Sequence, residues 1–208
     1  MKPLTSEAWK KIIRSGSRVF VGGGASVPFA VVKSMLKESN RFIDVELTHI
    51  HTVGEMPWVA EKYHGSLRTN TFFLTPSIQQ AVAAGRADYT PCPLSDVPRM
   101  FGGHLLPVDV ALIQVSPPDD DGYVSLGVAV DVVKAAVRAA RCVVAQINPA
   151  MPRTGGAARL SSKKIHYYLE KKQALPTIHW DKPRAAQIKA AEYAAQLVED
   201  GSTIQAGL

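Results

Sequence analysis

The chain has 208 residues, 46% of them hydrophobic and 20% charged, which suits one generous globular domain or one domain and part of a second and excludes a disordered or fibrous polypeptide. Its formal net charge is +6, but the basic residues are scattered, so the balance speaks against a nucleic-acid-binding stripe and for a small anionic ligand such as one bearing phosphates; a plain solvated basic surface is the alternative. Two cysteines, Cys92 and Cys142, each in an apolar run, read as buried thiols of a reducing compartment rather than as a disulfide framework.

The chain opens on MKPLTSEAWKKIIRSG, which has an amphipathic period and an acidic residue where an export signal would have an apolar core. With no apolar run long enough to span a bilayer, the expected location is the cytoplasm, with no membrane or nucleic-acid partner. Thr5 or Ser6 caps a helix whose apolar positions Trp9, Ile12 and Ile13 share a face, and Gly16 ends it. Residues 18–21 form a strand running into Gly22-Gly23-Gly24, and Pro28 suits the first turn of a helix reaching about Glu38. A strand follows over 45–52, a helical turn over 58–64, a strand over 71–74 and a helix over 76–84 stopped at Gly85. Residues 88–90 are strand-like and 95–101 a short helix. VDVALIQV, over 108–115, is apolar with little alternation, as expected of a parallel-sheet strand covered on both faces.

After the turn SPPDDDG come a brief strand at VSLG, a helix over 130–140 and a second buried strand, CVVAQI, over 142–147. Residues 148–164 are polar and irregular and read as a long working loop, with 165–169 an edge strand behind it. LPTIHWDKP is a linker to an Ala-rich helix over 184–198, and residues 202–205 begin a short strand. The class is α/β, a mostly parallel sheet flanked by helices.

Two stretches repeat one order of features. SGSRVFVGGGASVP and EDGSTIQAGL each run from a helix end through Gly-Ser into a short strand and then Gly, with Gly16 matching Gly201 and Gly22 matching Gly207. The repeat divides the chain into an α/β domain over 1–183 and, over 184–208, the first helix and strand of a second similar domain that breaks off.

Several motifs bear chemistry. Gly22 to Pro28 lies between a strand and a helix, where backbone N–H groups and the helix dipole can meet an anion or thioester; it does not fit the dinucleotide fingerprint, and a tight turn kept for packing is the alternative. His49 and His51 share one face of a strand and could begin a metal site, giving a metal-dependent hydrolase as a rival reading. His64, His104, His166 and His179 are too scattered to complete it, so His51 reads as a substrate-pocket residue or a satisfied core histidine. The Asp119-Asp120-Asp121-Gly122 run reads as a solvated turn rather than a calcium loop. Arg153, in the long loop, could pair with a carboxylate or phosphate, or form a structural ion pair.

The phrases VFVGGGASVP, GRADYTPCPLSDVPRMF, SPPDDDGYVSLGVAVDVVKAA, QINPAMPRTGG and LVEDGSTIQAGL occur here in the same order as in the acetyl-CoA hydrolase/transferase family of class I CoA-transferases, of the 4-hydroxybutyrate CoA-transferase type, which the chain resembles over nearly its whole length. The resemblance implies the N-terminal half of a two-domain enzyme that handles a coenzyme A thioester as substrate, with no covalently bound cofactor and no metal. A glutamate carboxylate attacks the thioester, and a glutamyl-CoA intermediate is resolved by a small carboxylate or by water. Gly22, Gly23, Gly24, His51, Arg153, Gln205 and Gly207 become substrate or CoA-binding candidates. In the family the glutamate comes after the turn matched here by Gln205 to Leu208, so it is expected beyond residue 208; Glu55 and Glu61 do not match its position. The expected partners are acyl-CoA, a small carboxylate, a C-terminal domain and further copies in a homo-oligomer. The chain alone is expected to be inactive, effectively a non-catalytic binding domain.

Overall fold

Strands that are apolar without alternation need cover on both faces, and this architecture provides it. The computed structural model describes residues 1–103, 105–178 and 181–205, so His104, His179 and Gly207 lie outside it. In chain order the elements are β1 (Lys2–Pro3), α1 (Ser6–Ile12), β2 (Arg18–Val21), α2 (Phe29–Leu36), β3 (Val45–His49), β4 (Leu67–Thr71), α3 (Pro76–Ala83), β5 (Ala87–Tyr89), α4 (Val97–Gly102), β6 (Val110–Val115), β7 (Tyr123–Ser125), α5 (Val133–Ala139), β8 (Cys142–Ile147), β9 (Arg159–Ser161), β10 (Tyr167–Glu170) and α6 (Ala185–Ala195). Eight strands form one sheet in the order β1-β10-β8-β6-β2-β3-β4-β5, and each neighbouring pair is parallel. β7 and β9 form a separate antiparallel pair.

The two-residue period of the strands sorts their side chains into two cores. Val19, Val21, Leu47, Val110, Leu112 and Val144 join Trp9, Val32, Met35 and Ile78 of α1, α2 and α3 on one face. Phe20, Ala111, Ile113, Val115, Val143 and Ile147 meet Val97 and Phe101 of α4 and Val133, Ala136 and Val137 of α5 on the other. This is the mostly parallel α/β sheet flanked by helices that the alternation implies.

Contacts divide the chain into Met1–Thr177, which holds both sheets, and Ile178–Leu208, which holds α6. None of the residues of α6 is buried.

Several boundaries depart from the sequence reading. β4 begins four residues before the expected strand, on LRTNT, because its polar side chains find partners: Thr71 Oγ1 donates to the Ile50 carbonyl (3.0 Å) and Thr90 Oγ1 to Asn70 Oδ1 (2.8 Å). β10 is not an edge strand, since β1 pairs along its outer side. The loop 148–164 contains β9, and residues 202–205 form no strand. Cys142 is buried but Cys92 is partly exposed, its Sγ 3.3 Å from Met100 Sδ.

Candidate functional site

The strand order locates a crevice before any residue is considered. From β2 the chain moves to β3, β4 and β5 on one side, then returns to place β6, β8 and β10 on the other. β2 and β6 are therefore adjacent strands whose connections diverge, and ligands of open parallel sheets bind outside the carboxyl ends of such a pair. The loop leaving β2 at that end is Gly22 to Pro28.

Glycine is needed there because the backbone comes too close to its neighbours for a side chain. A Cβ on Gly23 would lie 2.7 Å from the His51 carbonyl oxygen, and Gly24 has φ of +60°. The Gly22 N–H donates to the Leu112 carbonyl of β6 (2.8 Å) and the Gly24 N–H to the His51 carbonyl (2.9 Å), which ties the turn to the strands on both sides. The His51 ring lies against Gly24, with Cε1 and Nε2 3.8 Å from where a Cβ would stand, and Ala129 Cβ is equally near. On its other side the ring meets Phe73 edge-on, centroids 6.3 Å apart, and Phe73 is exposed. The fold thus brings Gly22, Gly23, Gly24 and His51 together, with Ala129 and Phe73 added. Neither addition was legible in the sequence: Ala129 comes from a segment more than a hundred residues away, and Phe73 was one of several apolar residues in a strand-like run.

Among the described residues, the N–H groups of Gly23 and Ala25 meet no acceptor in the protein. The start of α2 is different. Pro28 offers no side-chain cap, and the Ala30 N–H donates instead to Gln146 Oε1 of β8 (2.9 Å), so that position is not open to an anion. No Lys or Arg lies between Arg18 and Lys33, and Arg18 is occupied by Glu46, with Nε 2.7 Å from the carboxylate. The turn itself offers N–H donors and carries no cation of its own.

His49 does not share the setting of His51. It is fully buried, its ring edge-on to Trp58 with centroids 6.0 Å apart, and neither ring nitrogen has a hydrogen-bond partner. Burial, and secondarily the charge of His51, lowers its pKa from 6.5 to about 4, so it is neutral at physiological pH. Among the described residues no group of three His, Cys, Asp or Glu side chains could hold a metal ion.

Arg153 lies beside the β7–β9 pair. Its guanidinium donates to the Pro117 carbonyl (2.7 Å), the Tyr123 carbonyl (3.4 Å) and Asp119 Oδ2 (3.2 Å). With Asp119, Ser125, Thr154 and Arg159 it lines a cavity of about 300 Å³. A larger cavity of about 520 Å³, between α4 and α5, includes Val108 and so lies toward the amino end of β6. Gln205 is exposed in Ile178–Leu208, and Gly207 lies outside the described residues. No helix among the described residues is long and apolar enough to cross a membrane.

Known proteins point the same way. Residues 2–177 match the family described as acetyl-CoA hydrolase/transferase N-terminal domain. The chain is 36% identical over 209 residues to a 4-hydroxybutyrate coenzyme A transferase of Clostridium kluyveri, covering all of this chain and 48% of that protein. It is 36% identical over 202 residues to a succinyl-CoA:acetate/propanoyl-CoA:succinate CoA transferase of Fasciola hepatica, covering 94% and 41%. Among solved structures, RipA of Yersinia pestis superposes with a TM-score of 0.89 at 25% identity, covering all of this chain and 51% of that one. The 4-hydroxybutyrate CoA-transferase of Porphyromonas gingivalis superposes at 0.77 with 26% identity, covering 95% and 46%. The chain spans about half the length of the curated relatives it matches.

Proposed function

The chain belongs to the acetyl-CoA hydrolase/transferase family, and from that premise we propose that it forms the N-terminal half of an acyl-CoA:carboxylate CoA-transferase or acyl-CoA hydrolase. The observation that carries the reading is the glycine turn itself, a close-packed wall at the β2/β6 switch point with free N–H groups and no Lys or Arg of its own. Such a wall suits the acyl-thioester end of an acyl-CoA, where negative charge develops on a carbonyl oxygen during attack. It does not suit the phosphates, which call for Lys or Arg.

In the proposed reaction a glutamate carboxylate, supplied from outside these 208 residues, attacks the thioester carbonyl and expels the CoA thiolate, leaving a mixed anhydride. The thiolate attacks the glutamyl carbonyl, releasing the first carboxylate and forming a glutamyl-CoA thioester. An incoming carboxylate reverses these two steps to leave as a new acyl-CoA; water instead gives hydrolysis. The Gly23 and Ala25 N–H groups face the oxyanion, and His51, against Gly24, shapes the acyl pocket with Phe73. In this reading a second α/β unit starts near residue 184 and Gln205 belongs to it, completed by residues beyond these 208, since residues 202–205 form no strand here. The rival metal-hydrolase reading gains no observation.

The test is incubation of the whole protein with an acyl-CoA and acetate, then intact and peptide mass analysis. A mass gain corresponding to CoA on a glutamate outside residues 1–208, with transfer of CoA to acetate, is the expected result. Turnover by the isolated 208-residue chain, or an adduct on a glutamate within it, would overturn the proposal.

A further inference from the structure

Three amide side chains are buried beneath the glycine turn: Gln114 at the end of β6, Gln146 at the end of β8 and Asn148 just after it. Gln114 and Gln146 are register partners, on the sheet face that carries Leu112 and Val144 and is covered by α2. Each of their side-chain nitrogens and oxygens has a hydrogen-bond partner. Gln146 Nε2 donates to Gln114 Oε1 (3.0 Å) and Gln173 Oε1 (3.3 Å), while its Oε1 accepts from the Ala30 N–H (2.9 Å). Gln114 Nε2 donates to the Val27 carbonyl (3.3 Å), and its Oε1 also accepts from Asn148 Nδ2 (2.9 Å). Asn148 Nδ2 reaches the Gln173 carbonyl (2.8 Å), and Asn148 Oδ1 accepts from the Gln173 N–H (3.0 Å).

A sheet position facing a helix is ordinarily filled by an apolar residue, and a matched apolar pair would serve stability as well as a buried amide pair does. Carboxamides differ in having directional donors and acceptors on one group. Here they point at the two backbone groups, Val27 C=O and Ala30 N–H, that end the glycine turn and begin α2, a helix that supplies no cap of its own.

We propose that Gln114 and Gln146 are positioning residues that fix the far end of the glycine turn and link it through Asn148 to the segment around Gln173. The near end is already fixed by the Leu112 and His51 carbonyls, so the pair sets the direction of the N–H groups between the two anchors. Their role in catalysis rests on the reading of the turn as a thioester wall; their role as a clamp does not.

The experiment has two arms. In the first, hydrogen–deuterium exchange is measured in the chain carrying Gln114→Met or Gln146→Met, substitutions that keep length and remove every polar contact. Peptides covering 22–32 exchange about tenfold faster or more than in the parent, selectively. Val144→Ala, on the same face of β8, is the control that loosens packing without that selectivity. In the second arm the same variants are placed in the protein with CoA-transfer activity. There kcat falls about tenfold or more while KM for acyl-CoA stays within about twofold, because a misdirected N–H acts on charge present only in the transition state. Unchanged exchange over 22–32 in both Met variants overturns the clamp. If the unsubstituted protein transfers no CoA, the functional reading falls and the clamp is decided by exchange alone.

Discussion

The turn at Arg14–Ser17 and the turn at Glu199–Ser202 are built alike. In each, glycine precedes serine with φ in the left-handed region, +74° at Gly16 and +82° at Gly201. In the first, the Ser17 N–H donates to the Arg14 carbonyl (3.0 Å) and the Arg14 N–H to Ser17 Oγ (3.0 Å). In the second, the Ser202 N–H donates to the Glu199 carbonyl (3.1 Å) and the Glu199 N–H to Ser202 Oγ (3.1 Å). Beyond the serine the two segments part. Arg18–Val21 is β2, with Val19 wholly buried between β3 and β6; its counterpart Ile204 is 71% exposed and in no strand. Four local residues are enough to make the turn, whereas the strand exists only where neighbours accept its hydrogen bonds. The repeat seen in the sequence holds at the turn and stops at the strand.

That comparison is broken most severely by acid. His49 ends β3, the strand beside β2, and its folded pKa of about 4 lies below the ordinary 6.5, so the folded protein prefers the neutral ring. Its contribution is therefore complete above pH 6.5 and declines as the pH falls from 6.5 toward 4, because the unfolded chain takes up a proton that the folded one refuses. The loss approaches roughly 3 kcal/mol at the bottom of that window. Denaturant titrations from pH 7 to pH 4 measure it, and His49→Leu, whatever its starting stability, flattens the slope. An unaltered slope in His49→Leu assigns the acid sensitivity elsewhere.

Gly23→Ala is the next largest perturbation. The added methyl meets the backbone oxygen of His51, which is held just beyond β3 by the Gly24 N–H and cannot rotate aside as a side-chain end could. Overpacking of this kind costs about 2 kcal/mol and pushes the carboxyl end of β2 away from β3. The expected outcome is a lowered melting temperature and faster amide exchange over 18–24, so that β2 moves toward the unpaired state of residues 202–205. In the active protein, CoA transfer falls with it. A variant as stable as the parent would mean that the His51 carbonyl yields, and the close approach would lose its significance.

Arg153→Ala is smaller still. The side chain is partly exposed and its bonds hold the turn at 117–123, so about 1 kcal/mol is at stake. KM for acyl-CoA in the whole protein is expected to be unchanged. A rise of about tenfold, roughly 1.4 kcal/mol of lost binding, would return Arg153 to the ligand site.

These cases also mark what the sequence could convey. β6 and β8 were legible because VDVALIQV and CVVAQI are nearly continuous apolar runs, as a strand covered on both faces of a parallel sheet requires. β4 was displaced in the reading because LRTNT looks like a loop until Glu46, Asn70 and Thr90 are seen satisfying one another. β1 and β9, two and three residues long, carry no periodicity to detect. At the site, the glycine run announced itself by composition and position. The amides of Gln114 and Gln146 did not, since a single Gln inside an apolar run is indistinguishable from a strand end until the helix it caps, 116 residues away in sequence, is laid over it.

The smallest effect is the most discriminating. Ser17→Ala removes the Oγ that accepts from the Arg14 N–H in a turn whose serine is buried, and the loss of one such bond costs about 1 kcal/mol. Ser202→Ala removes the equivalent bond from an exposed turn, where water takes the serine's place and the cost is near zero. Urea titrations of the two variants of this chain should therefore differ, although the turns they alter share one hydrogen-bond pattern. Equal costs in this chain would contradict the claim that the two serines differ only in their surroundings. In a longer protein in which residues 202–205 join a second sheet, the Ser202 cost should rise toward that of Ser17, because burial alone converts a replaceable hydrogen bond into an irreplaceable one.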